Sequence, residues 1–269
     1  MVLHPLDTQT GAEQGSKFRA PIPAWKAVET KQKQPAKDWL LITQVDHADL
    51  AGALAARLQS PLIPPLQADI VRAIAVHDAG WAAFDAAGGG SPDLFHPKLK
   101  DDGTPLSFLD VCPADFLVAW KASIREGQQA CPAGGFMVSR HFCRLAEGRL
   151  SSRIDNEEDT SRLRRFLHEE AERQNRLTAV AGYSRAELEA LTDVLQFCDL
   201  LSLYLCCGAT EAVEFPQSIR NIHVKVRREA DMFQCDPAVF GSGVSLGISG
   251  RLYGGMGKSE CRSLAFLIQ

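Results

Sequence analysis

Residues 184–208, SRAELEALTDVLQFCDLLSLYLCCG, decide the fold class. Ser184 and Glu187 make the two halves of a capping box. Leu188, Leu191, Leu195, Cys198 and Leu205 recur at helical spacing, and Gly208 supplies the stop. From Val194 onward the segment is apolar almost all round, so its period predicts a helix that runs through the core. Asp199 is out of place there. A carboxylate in a segment fit for full burial costs several kcal/mol unless it is paired with a cation, bonded to helix backbone or set against a metal.

The segments before it carry the same period. Residues 159–177 form a charged helix with Leu163, Phe166, Leu167 and Leu177 inward; residues 135–150 form another, carrying Ser139, Arg140 and His141; a third covers 116–126. Residues 85–115, with Gly88 to Gly90 and the turn-like Asp101-Asp102-Gly103, read as a long ordered loop of the kind that often serves function. Ahead of it, Pro61, Pro64 and Pro65 separate two further helices. The first places His47 on a stripe with Leu50, Ala51, Leu54 and Leu58, behind a capping box of Thr43 and Asp46. The second turns Ile70, Val71 and Ile74 inward, ends on His77 and Asp78, and uses Gly80 as its stop. After residue 208 the period changes to two in Ile222, Val224 and Val226 and in Val244, Leu246 and Ile248, which predicts a small antiparallel β element near the C-terminus. The expected architecture is therefore mainly α: a polar, proline-interrupted lead-in over 1–38, a helical core over 39–208, and a β-rich extension over 209–269 packed on it.

Composition bounds the partners. The 269 residues carry 29 Lys and Arg against 33 Asp and Glu, a formal net charge of −4 that gives no footing for nucleic acid or an acidic membrane surface. No stretch has the length a membrane span needs, and the first residues lack an apolar signal core. Eight scattered cysteines without a Cys-x-x-Cys pair fit neither a zinc ribbon nor a redox motif, and a reducing cytoplasm is the expected compartment. GGMGKS at 254–259 lacks the Walker glycine, since Leu252 stands in its place, and reads as a turn in the C-terminal sheet. Cys143 lies two residues from His141 and so faces another side of its helix, which argues against thiol catalysis. Trp81 is expected in the core behind a helix end, or else as the wall of a pocket.

His47 on an apolar stripe is by itself the mark of a satisfied core histidine, and Asp199 alone that of a buried ion pair. Together with His77 and Asp78 they form three anomalies on three helices. Two imidazoles and two carboxylates suit a divalent transition metal such as iron, manganese, zinc, cobalt or nickel. The order His47, His77-Asp78, Asp199 resembles the H…HD…D signature of the HD superfamily of metal-dependent phosphohydrolases. It is more similar still to an uncharacterised bacterial family within that superfamily. The likeness is carried by LITQVDHADLAG (41–52), AIAVHDAGW (73–81), PLSFLDV (105–111), SRHF (139–142) and FCDLLSL (197–203), and covers roughly residues 39–250.

The resemblance implies an HD-domain-like helical bundle with His47, His77, Asp78 and Asp199 as ligands of one or two ions. It also implies hydrolysis of a small, phosphorylated substrate by metal-activated water. HD proteins with two metals insert two further histidines in the interval that holds His96 and His141 here, so both are candidate ligands, with Asp78 as the bridging one. Arg140 is a candidate for steadying phosphoryl charge, as is Arg72. Asp46 and Asp85, which flank the two motifs, are candidates for orienting a ligand or taking a proton, although Asp46 also suits a helix cap. A di-iron oxygenase and a non-catalytic metal-containing regulatory domain are the alternatives that the same residues leave open. The oligomeric state is not legible in the sequence.

Overall fold

A computed structural model describes residues 1–6, 38–61, 63, 65–86, 97–219, 221–241, 243–254 and 260–269. Two strands open the chain, β1 (Val2–Leu6) and β2 (Asp38–Ile42), followed by α1 (Gln44–Ala55), α2 (Ala68–Ala75) and the short α3 (Ala82–Ala86). Four long helices follow: α4 (Pro113–Ala130), α5 (Pro132–Ser152), α6 (Glu157–Thr178) and α7 (Arg185–Cys206). The chain closes with β3 (Val213–Ile219), β4 (Ile222–Glu229), β5 (Met232–Asp236), β6 (Val244–Tyr253) and β7 (Cys261–Ile268).

The strands form one curled seven-stranded sheet in the order β1-β2-β6-β7-β5-β4-β3, antiparallel except for the β5/β7 pair. This overturns the expectation of a mainly α, all-helical bundle with one small β element, since about half of the structure is helical and about a quarter of it belongs to the seven-stranded sheet. The correction comes from both ends of the chain. β2 pairs with β6 through Trp39 opposite Tyr253 and Leu40 opposite Leu252, and β1 pairs with β2, so part of the presumed lead-in belongs to the sheet. Pro5 is compatible with a strand because β1 is the sheet edge, where a missing N–H breaks no ladder on the open side. In β2, Asp38, Leu40, Leu41 and Ile42 are all buried, so its apolar run lacks the alternation that marks a half-exposed strand.

The helical readings hold with adjusted ends. In α7 the capping box of Ser184 and Glu187 is formed, and every residue from Val194 to Cys206 is buried. The helix ends before Gly208, which adopts φ +65°, a conformation that side chains with a Cβ avoid. Thr43, not Asp46, is the N-cap of α1: its hydroxyl oxygen accepts from the Asp46 N–H and its O–H donates to the Asp46 carboxylate. α2 stops at Ala75, short of the expected last turn. The Ile74 carbonyl accepts from His77 Nδ1 at 2.8 Å, and the chain tightens into a 3-10 turn at Ala79–Trp81. Gly80 is therefore not a left-handed stop. A Cβ there would sit 2.1 Å from the Ala119 carbonyl oxygen, so glycine is what lets the turn lie against α4.

The sheet backs α1 and α7, with β6 against α1 and β1 and β3 against α7. α1 also packs on α2, closely enough that a Cβ on Gly52 would fall 2.4 Å from Ala75 Cβ. Direct packing of α1 on α7, together with α1 on α2, brings the anomalous residues of α1, the α2 end and α7 to one place. The loop reading of 85–115 is only partly within the described residues, where Phe108–Asp110 form a 3-10 turn behind a Ser107 cap. His96 and residues 255–259 of the GGMGKS segment lie outside the described residues.

Candidate metal centre

His47, His77, Asp78, His141 and Asp199 are all buried and meet at one point. His47, His77 and Asp78 can each turn one ligand atom into a cluster spanning no more than 4.8 Å, and so can His77, His141 and Asp199. His47 Nε2 lies 3.0 Å from Asp78 Oδ2 and 3.9 Å from Asp199 Oδ1, while His77 Nε2 lies 3.3 Å from Asp199 Oδ1 and 3.9 Å from Asp78 Oδ2. His141 Nε2 stands 3.9 Å from the other Asp199 oxygen.

The far side of each ring assigns its tautomer. His77 Nδ1 faces the Ile74 carbonyl at 2.8 Å and must donate to it, so Nε2, 3.3 Å from Asp199 Oδ1, is the atom left to ligate a metal or, without one, to carry the second proton. His47 Nδ1 lies 3.0 Å from Ser202 Oγ, whose own O–H is given to the Asp199 carbonyl at 2.8 Å. Ser202 can therefore only accept from His47 Nδ1–H, which leaves Nε2, 3.0 Å from Asp78 Oδ2, as the His47 atom able to ligate. Two imidazole Nε2 atoms and two carboxylate oxygens thus face one another in a buried site, an arrangement that calls for a cation among them, either a metal or a proton. This is the orientation that outer-shell hydrogen bonds give to metal-ligating histidines.

The ionisation of the site reflects the same demand. Burial disfavours the charged form of His77, yet Asp78 and Asp199 outweigh it and push its pKa up to about 9. Burial works against the Asp199 charge as well, but the histidines around it hold its pKa down to about 2. His141 is pushed down to about 4, chiefly by burial, and is neutral at pH 7; its Nδ1 has no hydrogen-bond partner among the described residues. Without a metal the site holds a proton on His77 as its positive charge.

A cleft opens onto these groups, with about 90 Å³ of internal space, room for several waters. Gln44, one helical turn before His47, lines it with a buried Oε1 that lacks a partner among the described residues. One wall is aromatic: Phe116 and Trp120 lie 4.3 Å apart between ring centroids, and Trp120 stacks on Phe142 at 4.8 Å. Trp81 is buried and also lines the cleft, so it serves both as core and as wall. Arg149 stands at the edge of this wall, 5.2 Å from the Phe116 ring centroid.

The remaining candidates from the sequence lie elsewhere. Arg140 gives its Nε to Glu189 at 3.2 Å and its Nη1 to Glu147 at 2.9 Å, and is not among the residues lining the cleft. Arg72 and Asp46 are exposed, and Asp46 is occupied in the α1 cap. Asp85 is buried but structural: it accepts from the Gln44 N–H at 2.7 Å and pairs with the Met1 ammonium at 3.4 Å. Burial pushes the Cys143 thiol up to about 12, so it stays protonated. Gln44 and Arg149 were not singled out from the sequence, although both are legible there. Gln44 precedes His47 by three residues, and Arg149 follows His141 by eight with Leu145 between them. The last three residues share one face of α5 within about 80° of arc, whereas Arg140 is turned about 100° from His141.

A family model described as a protein of unknown function, DUF3891, matches residues 32–252. The chain belongs to the DUF3891 family. All five donors of the cluster fall inside the DUF3891 match, whereas β1 and β7 lie outside it. Searches of curated proteins and of solved structures returned no match. No helix among the described residues is long and apolar enough to cross a membrane.

Proposed function

We propose that this DUF3891 protein is a metal-dependent hydrolase of phosphoesters, with His47, His77, Asp78 and Asp199 as the residues that hold the cation. The supporting observation is the convergence of two imidazole Nε2 atoms and two carboxylate oxygens, with both rings locked from behind by Ser202 and the Ile74 carbonyl. A mixed nitrogen and oxygen set of this kind suits zinc, manganese or iron. A divalent ion there supplies Lewis acidity, which brings the pKa of water toward neutrality and polarises a phosphoryl oxygen.

The chain's own residues do the rest. Neutral His141, beside Asp199, offers a third imidazole that can ligate or hydrogen-bond a phosphoryl oxygen. Trp81, Phe116, Trp120 and Phe142 keep bulk water from one side of the cleft, which strengthens electrostatic interactions inside it. Gln44 Oε1 presents an acceptor to a substrate N–H or O–H.

The test begins with the metal content of protein purified without chelator, followed by turnover of a panel of phosphomonoesters and phosphodiesters by protein loaded in turn with Mn2+, Zn2+ and Fe2+. Wild type is expected to hold at least one transition metal per chain and to turn over a phosphoester. Asp78→Ala should lose both. Failure to bind any of the three metals would overturn the reading. Two irons per chain with dioxygen consumption and no phosphoester turnover would replace hydrolysis by oxygenation.

A further inference from the structure

The cleft has a second charged feature that the metal chemistry does not use. Arg149 gives Nε and Nη2 to the buried Asp155 carboxylate at 2.7 to 3.1 Å, which fixes the guanidinium plane. Its Nη1 has no partner among the described residues. From Arg149 to the metal centre the wall is continuous: its guanidinium lies over Phe116, Phe116 packs on Trp120, Trp120 stacks on Phe142, and Phe142 meets His141 edge-on at 4.9 Å between centroids. On α5, His141, Leu145 and Arg149 are one helical turn apart each and all line the cleft. Eight residues of helix set the Cα atoms of His141 and Arg149 about 12 Å apart along α5, a spacing on the scale of one aromatic ring with a substituent at each end.

Resting on the hydrolase reading, we infer that the substrate is a phosphoester with two ends: a flat apolar body that lies along the aromatic wall, and a second anionic group, a carboxylate or phosphate, taken by Arg149. A fixed planar fork with open N–H donors suits such an oxyanion, because the pairing with Asp155 has already settled the orientation of the side chain. The flat body follows from the stacked rings, which favour a planar partner over a branched one. Arg149 is thus a specificity residue at the end of the cleft away from the reacting bond.

Binding rather than turnover tests this. Titration calorimetry on Zn2+-loaded protein compares benzylphosphonate with 4-(phosphonomethyl)benzoate, which adds a carboxylate at the far side of the ring. Wild type is expected to bind the second about tenfold or more tightly, the usual worth of a charge-assisted hydrogen bond. In Arg149→Met the two should bind alike; a preference that survives this change would overturn the assignment to Arg149. Equal affinities in wild type, a comparison that needs no variant, would overturn the inference and leave the hydrolase reading standing. Binding of neither phosphonate, or binding that persists in chelator, would overturn both.

Discussion

Replacing Ser202 by alanine probes the arrangement of lone pairs most directly. The change removes one buried oxygen and leaves almost no void, so its effect is electrical rather than steric. In wild type His47 Nδ1–H has an acceptor 3.0 Å away and Nε2 is free to ligate. In the variant, the ligating tautomer leaves a buried N–H without a partner, a cost of about 1–3 kcal/mol. The other tautomer escapes that cost, because Nε2–H can then donate to Asp78 Oδ2 at 3.0 Å. The substitution therefore favours the metal-free state, and metal affinity should fall by about 5- to 150-fold, at 1.4 kcal/mol for each factor of ten. Removing an outer-shell partner of a ligating histidine typically costs 10- to 100-fold, which agrees. Competition against a chromophoric chelator with Zn2+ reads the affinity, and Ser202→Thr, which retains the hydroxyl, should restore it. An affinity for Ser202→Ala within twofold of wild type would refute the tautomer assignment and the claim that His47 ligates through Nε2.

Three further outcomes are expected. The pKa of His77, raised to about 9 from 6.5, gives the metal-free protein a stabilising contribution that is complete below pH 6.5 and lost as pH rises through about 9. His141, depressed to about 4, works in the opposite sense and costs stability as pH falls from 6.5 toward 4. Thermal melting in chelator should thus weaken from pH 7 to 9, and saturating Zn2+ should remove that alkaline loss; a metal-free melting temperature that climbs over this range would contradict it. Gly52→Ala forces a Cβ to within 2.4 Å of Ala75 Cβ, and should cost about 1–3 kcal/mol in urea denaturation while weakening metal binding by moving α1 from α2. Arg140→Ala breaks two partly exposed ion pairs and should cost about 1 kcal/mol or less, with Zn2+ affinity unchanged; a tenfold loss of affinity would return Arg140 to the centre.

Much of the site is written in residue type alone. A histidine on the apolar stripe of α1, a His-Asp pair closing α2 and an aspartate inside α7 each contradict their surroundings, and the structure brings all three together with His141. What the sequence does not show is which neighbour each side chain meets. Arg140 adjoins His141 in the chain, but a helix turns about 100° per residue, so it points to Glu147 and Glu189 while Arg149, two turns on, faces the cleft. Gln44, which the sequence did not single out, lines the cleft beside His47.

The sequence by itself determined the helices, because helical period, caps and stops are local: the α7 capping box and the Gly208 turn are written within 25 residues. It also singled out His47, His77, Asp78 and Asp199, because an imidazole or carboxylate in apolar surroundings calls for a partner. The alternation in β4 and β6 was legible, but the extent of the sheet was not. β2 is tied into the sheet by β6, more than 200 residues away, and β1 joins only through β2; hydrogen bonds between strands leave no periodic mark on a short apolar run such as DWLLI. Only the tertiary structure turned both Nε2 atoms toward Asp78 and Asp199, because that direction is set by Ser202 across 155 residues and by the Ile74 carbonyl freed where α2 ends.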